Sequence, residues 1–438
     1  MNAKLNAEQI FQAGVESVLP DKMIRNVFHL EKETLHISNR CFQLAGIDRI
    51  YVIGAGKASA LMAQEVETEL GNRIAGGHII VKHGQGCKLK HIKVTEAGHP
   101  VPDSFGFRAT SRIIRLMQDT RKNDLVICLI SGGGSSLLAD YPEESSPEEL
   151  VLLNRLLLKS GADIREMNAV RKHVSRVKGG QLAGIIYPAT LVSLILSDVI
   201  GDSLEVIASG PTFPDSSTFL DALNVIEKYG LADKIPAAII QYLTRGLQGF
   251  VPETPKPGDP VFTTAHNFII GSNRIALQAA WQKAIESGFQ ASIVTSALDG
   301  NAADAAGEIV HGALKVQNDP NRKKPVCLLY GGETTVQVTG PGLGGRNQHL
   351  ALCAARLLAG TRGITLLSAG TDGNDGPTDA AGAVVDGLTV PNAISLGIDP
   401  VKYNTDFDSY HFFRQAGGHI LSGPTLTNVM DLIVVLIE

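Results

Sequence analysis

The sequence predicts a two-domain α/β protein, and three observations carry that expectation. Apolar runs of strand length alternate with stretches of helical periodicity and are joined by glycine-rich turns, which is the pattern of a mainly parallel sheet covered by helices. The pattern runs twice, interrupted at 246–265 (GLQGFVPETPKPGDPVFTTA), where prolines and glycines crowd and helical periodicity is lost. The chain also has 438 residues, more than one ordinary core accommodates. The expected division is an N-terminal domain 1–245, a linker 246–265 and a C-terminal domain 266–438.

The elements follow in order. Asn6 can cap a first helix and Asp21 a second one running from Lys22 towards Leu30. Strand 49–53 leads through GAGK into helix 58–70; strands 78–81 and 92–95, helix 104–120 and strand 125–130 come next. Helices fit 147–159 and 164–176, and the β-rich stretch 190–196 reads as a buried strand. Beyond the linker, strand 268–270, helix 274–287, strand 290–294 and helix 302–316 repeat the rhythm. Strands 326–330 and 335–338, helix 347–358, strand 364–369 and a final apolar strand 432–437 complete it.

Composition removes several function classes. The net charge is −5 and no long Lys/Arg block occurs, so neither nucleic acid nor an anionic membrane is an expected partner. Small molecules are. The five cysteines lie far apart without metal-site spacing, and Cys128 in LVICLI and Cys327 in PVCLLY read as small core hydrophobes. With no signal-peptide core at the N-terminus, and with LVSLIL and LIVVLI too short to span a bilayer, the expected location is cytoplasmic. A homodimer stays open as the assembly.

Ligands of open α/β sheets bind beyond the carboxyl ends of strands, which singles out the glycine loops that follow strands directly. Gly54-Ala55-Gly56-Lys57 opens a helix, where free N–H groups and the helix dipole would favour an anion and Lys57 would add a full charge. A tight strand-to-helix turn with a solvated lysine is the plain alternative. The loop lacks the Walker A spacer, and Ser59 stands where G-x-G-x-x-G needs its third glycine. The next strand ends in Lys82 and His83 instead of an acid for a cofactor ribose, so dinucleotide binding loses ground.

A second loop, Ser131-Gly132-Gly133-Gly134-Ser135-Ser136, follows strand 125–130. Its glycines let a ligand approach the backbone while the flanking hydroxyls donate, as in a phosphate nest. A third, GGETTVQVTGPGLGGRNQ, carries Glu333, Arg346 and Asn347, with Arg346 just before a helix where its guanidinium would grip a carboxylate or phosphate. Asn273, at the start of helix 274–287, is a further ligand-binding candidate. Asp198 and Asp202 end strand 190–196, whereas Asp372, Asp375 and Asp379 end strand 364–369; each can hold Mg²⁺, orient a hydroxyl, or merely cap a turn. The second run is no calcium loop, because Ala383 stands in place of the closing glutamate. Anion cradles, two basic side chains and acid clusters are the parts that phosphoryl transfer requires.

The strings VIGAGKA, EAGHPVPD, SGGGSSLL, VRKHVSRVKGGQLA, SDVIGD, ASGPTFPD, GGETTVQVTGPGLGGRNQ, SAGTDGNDGPTDAAGAVVD and GGHILSGPTLTNVMDL occur in this order. Through them nearly the whole chain resembles the MOFRL-type glycerate 2-kinase family. The resemblance implies a larger N-terminal Rossmann-like sandwich, a smaller C-terminal α/β domain and an active site in the cleft between them. It also implies ATP- and Mg²⁺-dependent phosphorylation of D-glycerate to 2-phosphoglycerate, with Lys57 and Arg346 as catalytic cations and the SGGGSS loop cradling phosphate. Family members usually read TGPTGTN where this chain has Ser422–Asn428, so Leu426 replaces a glycine. Two other readings are an NAD(P)H-dependent hydroxypyruvate reductase, a label sometimes attached to the family, and a catalytically silent sugar-phosphate sensor.

Overall fold

A computed structural model describes residues 3–438 and divides the chain into two compact units. The larger comprises Met23–Ser197 and Asp202–Ile270, and the smaller Met1–Lys22, Asp198–Gly201 and Gly271–Glu438.

The larger unit is built on six strands in the order Lys93–Ala97, Ile74–Lys82, Ile50–Ala55, Leu125–Ile130, Thr190–Leu196 and Ala265–Gly271. The pairings across the first five are all parallel. Strands Ile50–Ala55 and Leu125–Ile130 are buried at every position, which is why they read as unbroken apolar runs. Helices Ser59–Leu70 and Ser104–Gln118 pack on this sheet. Helices Pro147–Ser160, Ile164–His173, Phe219–Lys228 and Ala237–Leu247 share an apolar core of their own around Leu153, Val170, Phe219 and Ile239.

Several expectations need correction. The second helix, Pro20–Val27, stops before Leu30, because residues 28–43 form a three-stranded antiparallel sheet. Its strands have four residues each, too short for their alternation to stand out from a helical pattern. Nor is 246–265 a linker. Glu253 pairs with His173 at 2.7 Å and Thr254 Oγ1 donates to Asp215 at 2.9 Å, which stitches the stretch into the larger unit. The units separate at Gly271 instead.

The smaller unit has a mixed sheet in the order Gln290–Leu298, Val326–Gly332, Asp431–Ile437, Ile364–Gly370, Gly382–Asp386 and His419–Ile420. Only the first pairing is parallel, and the C-terminal strand inserts antiparallel into the middle. The expected strand 335–338 shrinks to a single bridge between Asn301 and Thr335. The first helix, Ala3–Ser17, belongs here and not to the N-terminal domain. It packs on helix Asn273–Glu286 and strand Asp431–Ile437 so closely that a Cβ on Gly14 would lie 2.8 Å from Leu432 Cδ1. Among the described residues no helix is long and apolar enough to cross a membrane.

Candidate functional site

In the larger unit, Lys57 follows the end of strand Ile50–Ala55. The free N–H groups expected of its loop are absent. Gly56 N donates to Ile80 O, Lys57 N to Gly132 O, Ala58 N to Ser131 Oγ and Ser59 N to Gly56 O, at 2.9–3.2 Å. The N–H groups from Gly56 to Ser59, leading into helix Ser59–Leu70, are thus satisfied from inside the protein. The glycines serve close packing: a Cβ on Gly54 would lie 2.0 Å from Leu129 O, and one on Gly56 2.1 Å from Ser131 Oγ. Ser131 is likewise a buried cap, its hydroxyl also 3.2 Å from Ser59 Oγ, and cannot face a ligand.

What remains open is the middle of the SGGGSS loop. The backbone N–H groups of Gly132 and Gly133 have no acceptor among the described residues, and neither does the half-buried Lys57 side chain have a carboxylate partner. Lys57 Cε lies 3.6 Å from the Cβ position of Gly133, a residue in the left-handed region at φ 80°. The His99 ring lies against the same glycine. Burial, with Lys57 and Lys82 adding to it, lowers the His99 pKa to about 4, so it is neutral at pH 7 and does not compete with Lys57 for an anion.

The loop is held from behind. The buried Lys178 ammonium donates to Ser135 O and Leu138 O, both at 2.7 Å, and burial lowers its pKa to about 8. Further back, Lys172 pairs with Asp215 at 2.9 Å and Glu205 at 3.0 Å. These groups come from VRKHVSRVKGGQLA, a string whose chemistry sequence reasoning left unread. Its density of basic residues beside glycines was the only signal.

In the smaller unit, Arg346 opens helix Arg346–Leu357. Its guanidinium forms a two-pronged pair with Asp431, Nε to Oδ2 at 2.7 Å and Nη2 to Oδ1 at 2.9 Å, and a third contact from Nη1 to Glu333 at 2.7 Å. A guanidinium has five N–H donors, so these contacts leave two for a ligand. Although burial opposes the charge, Asp431 and Glu333 hold Arg346 protonated more firmly than usual. Burial raises the Glu333 pKa; Arg346 opposes this, while Asp431, Asp198 and Asp372 push it higher still.

The other candidates divide. Asp375 is buried and accepts from Asn347 N at 3.1 Å and Gln348 N at 2.8 Å, capping the Arg346 helix. Burial raises its pKa to about 6. Asn347 Nδ2 donates to Asp431 at 2.9 Å and its Oδ1 accepts from Ser368, while Asn273 Nδ2 donates to Val429 O and Asp431 O. Asn347 therefore holds the Asp431 carboxylate and Asn273 the backbone at Val429 and Asp431, while the buried Oδ1 of Asn273 has no partner among the described residues. Asp379 is exposed and accepts from the Tyr410 hydroxyl at 2.8 Å. Asp202 belongs to the larger unit and Asp198 to the smaller. As they stand, no three His, Cys, Asp or Glu side chains among the described residues are close enough to hold a metal. Asp198 and Asp372 lie close enough to raise the Glu333 pKa, whereas the Asp375 oxygens accept from the helix N–H groups.

Comparison with known proteins shows which family the chain resembles. Residues 6–244 match a domain of unknown function, DUF4147, and residues 326–431 match the MOFRL family. A D-glycerate 2-kinase of Thermotoga maritima is 43% identical over 98% of this chain and 97% of its own length. A glycerate 2-kinase of Pyrococcus horikoshii is 41% identical over 97% of this chain and 95% of its own. A crystal structure of the Thermotoga maritima glycerate kinase superposes with a TM-score of 0.89 at 41% identity, covering 99% of both chains.

Proposed function

Since the chain belongs to the glycerate 2-kinase family, we propose that it transfers the γ-phosphoryl group of ATP to D-glycerate, giving 2-phosphoglycerate and ADP. The observation that carries this reading is the pair of unsatisfied N–H groups at Gly132 and Gly133 beside an uncompensated Lys57. Buried donors without acceptors are costly, and phosphate oxygens would supply acceptors and a counter-charge together. Lys57 then neutralises charge on the moving phosphoryl group, and the two donors of Arg346 left free by its acid partners bind the substrate carboxylate. Bound Mg²⁺ would offset phosphate charge, its ligands being phosphate oxygens together with carboxylates drawn from Glu333, Asp198 and Asp372. Five free cysteines fit a reducing cytoplasm.

The reductase reading is weaker here. Ser59, where the fingerprint needs a glycine, is buried with its hydroxyl on Leu129 O at 3.1 Å. Incubation with Mg-ATP and D-glycerate, followed by ³¹P NMR, should show 2-phosphoglycerate and ADP in equal amounts. Oxidation of NADH by hydroxypyruvate without ATP would instead favour the reductase, and ligand binding without product would favour the silent sensor.

A further inference from the structure

Behind the open loop runs a chain of three polar side chains. Ser135 Oγ lies 2.8 Å from Ser209 Oγ, and Ser209 Oγ donates to Asn168 Oδ1 at 2.9 Å. Ser209 has one hydroxyl proton, and Asn168 takes it. The proton between the two serines must therefore come from Ser135, which turns its lone pairs towards anything that reaches the loop. This reverses the expectation that the flanking hydroxyls donate to phosphate.

The backbone around Ser209 is costly to maintain. Ala208 and Ser209 sit at φ 50° and 61°, a left-handed pair of residues with side chains, followed by Gly210 at 61°. Such outliers persist where surrounding structure enforces them and cluster at functional sites. Here the segment Lys178–Gly179–Gly180 enforces it: Gly179 N donates to Ser209 O and Gly180 N to Gly210 O, while Lys178 grips Ser135 O. The same segment thus fixes both serines. Asn168 is 2% exposed and its Nδ2 has no partner among the described residues, so the amide serves this chain through its oxygen alone. Ala208 Cβ stands 2.9 Å from the Cβ position of Gly134, which places the turn against the open loop.

We propose that Ser209 and Asn168 are positioning residues that fix Ser135 as a hydrogen-bond acceptor, and that Ser135 thereby holds a hydroxyl group of the hydroxy-acid substrate. The proposal rests on the kinase reading and gives the loop two distinct roles, with its glycine N–H groups facing phosphate and its Ser135 oxygen facing a substrate hydroxyl. Specificity for a hydroxyl arises because an analogue lacking it would leave the Ser135 lone pairs unmatched.

The test is Ser209→Gly, which keeps the left-handed backbone at ease while removing the hydroxyl. The KM for D-glycerate should rise about tenfold or more, the loss expected of one oriented hydrogen bond, with the KM for ATP unchanged. Inhibition by D-lactate, which lacks the 3-hydroxyl of glycerate, and by 3-hydroxypropionate, which lacks the 2-hydroxyl, should then differ less than in the unaltered enzyme. Asn168→Asp keeps the acceptor and should stay within about threefold of the unaltered KM, while Asn168→Leu should behave like Ser209→Gly. Unchanged glycerate KM in Ser209→Gly, or an equal rise in both KM values, would overturn the proposal. An unaltered enzyme without turnover of D-glycerate would refute the kinase reading, a separate result.

Discussion

Lys57 and Arg346 are both cations at the start of a helix, yet their surroundings are opposite. Lys57 has no carboxylate partner among the described residues and stands beside two unsatisfied backbone N–H groups, whereas Arg346 is clamped by Asp431 and Glu333. The first is a charge left over for an incoming anion. The second is a charge already balanced, whose fixed orientation is its contribution. A basic residue in a glycine loop therefore says little until its partners are known.

Alanine substitutions would break this comparison most sharply. Lys57→Ala should lower kcat about 10³-fold, as loss of a charge-stabilising group does, with the melting temperature unchanged. Arg346→Ala should cost comparable activity and also about 3 kcal/mol of stability, because it leaves the buried Asp431 charge without its cation. Equal thermal stabilities of the two variants would contradict the contrast. Next in size, Asp431→Asn keeps the shape but removes the charge that orients Arg346. Steady-state kinetics should show a kcat/KM loss of about 10–100-fold while the Lys57 loop is untouched.

A pH experiment sharpens the view of the Arg346 helix. The buried Asp375 titrates at about 6 in the folded protein, above its ordinary 3.8. Stability present below pH 4 is therefore lost as pH rises through 6, by up to about 3 kcal/mol. Asp375→Asn should flatten that slope in denaturation curves recorded between pH 4 and 7. The smallest effect concerns Leu426, which sits at φ 63°, in the left-handed region that favours glycine. Leu426→Gly should stabilise the protein by about 0.5 kcal/mol in thermal unfolding, the relief of strain exceeding the added chain entropy.

Much of the frame was legible from periodicity alone. Strands Leu125–Ile130 and Thr190–Leu196 fall where their apolar runs end, since a strand buried on both faces has no other way to be written. Lys57, Arg346 and the SGGGSS loop likewise stand out in the sequence as candidates, because glycines after buried strands are conspicuous. Their partners were not. Asp431 is 85 residues from Arg346, and Ser209 is 74 from Ser135. Which distant segments meet depends on sheet order, and nothing local announces that the last strand enters the middle of the smaller unit's sheet. The same blindness explains why Gly54, Gly56 and Ser131 looked like ligand contacts: close packing and phosphate binding both call for small residues.

If the proposed kinase reading holds, Lys57 and Arg346 act on the same phosphoryl transfer. A double-mutant cycle on kcat/KM for D-glycerate, with Lys57→Ala, Arg346→Ala and the pair, tests it most directly. The account predicts strong non-additivity, the double variant being little worse than the poorer single one, as found for groups that act as a unit. Losses that simply multiply would mean that the two cations work independently.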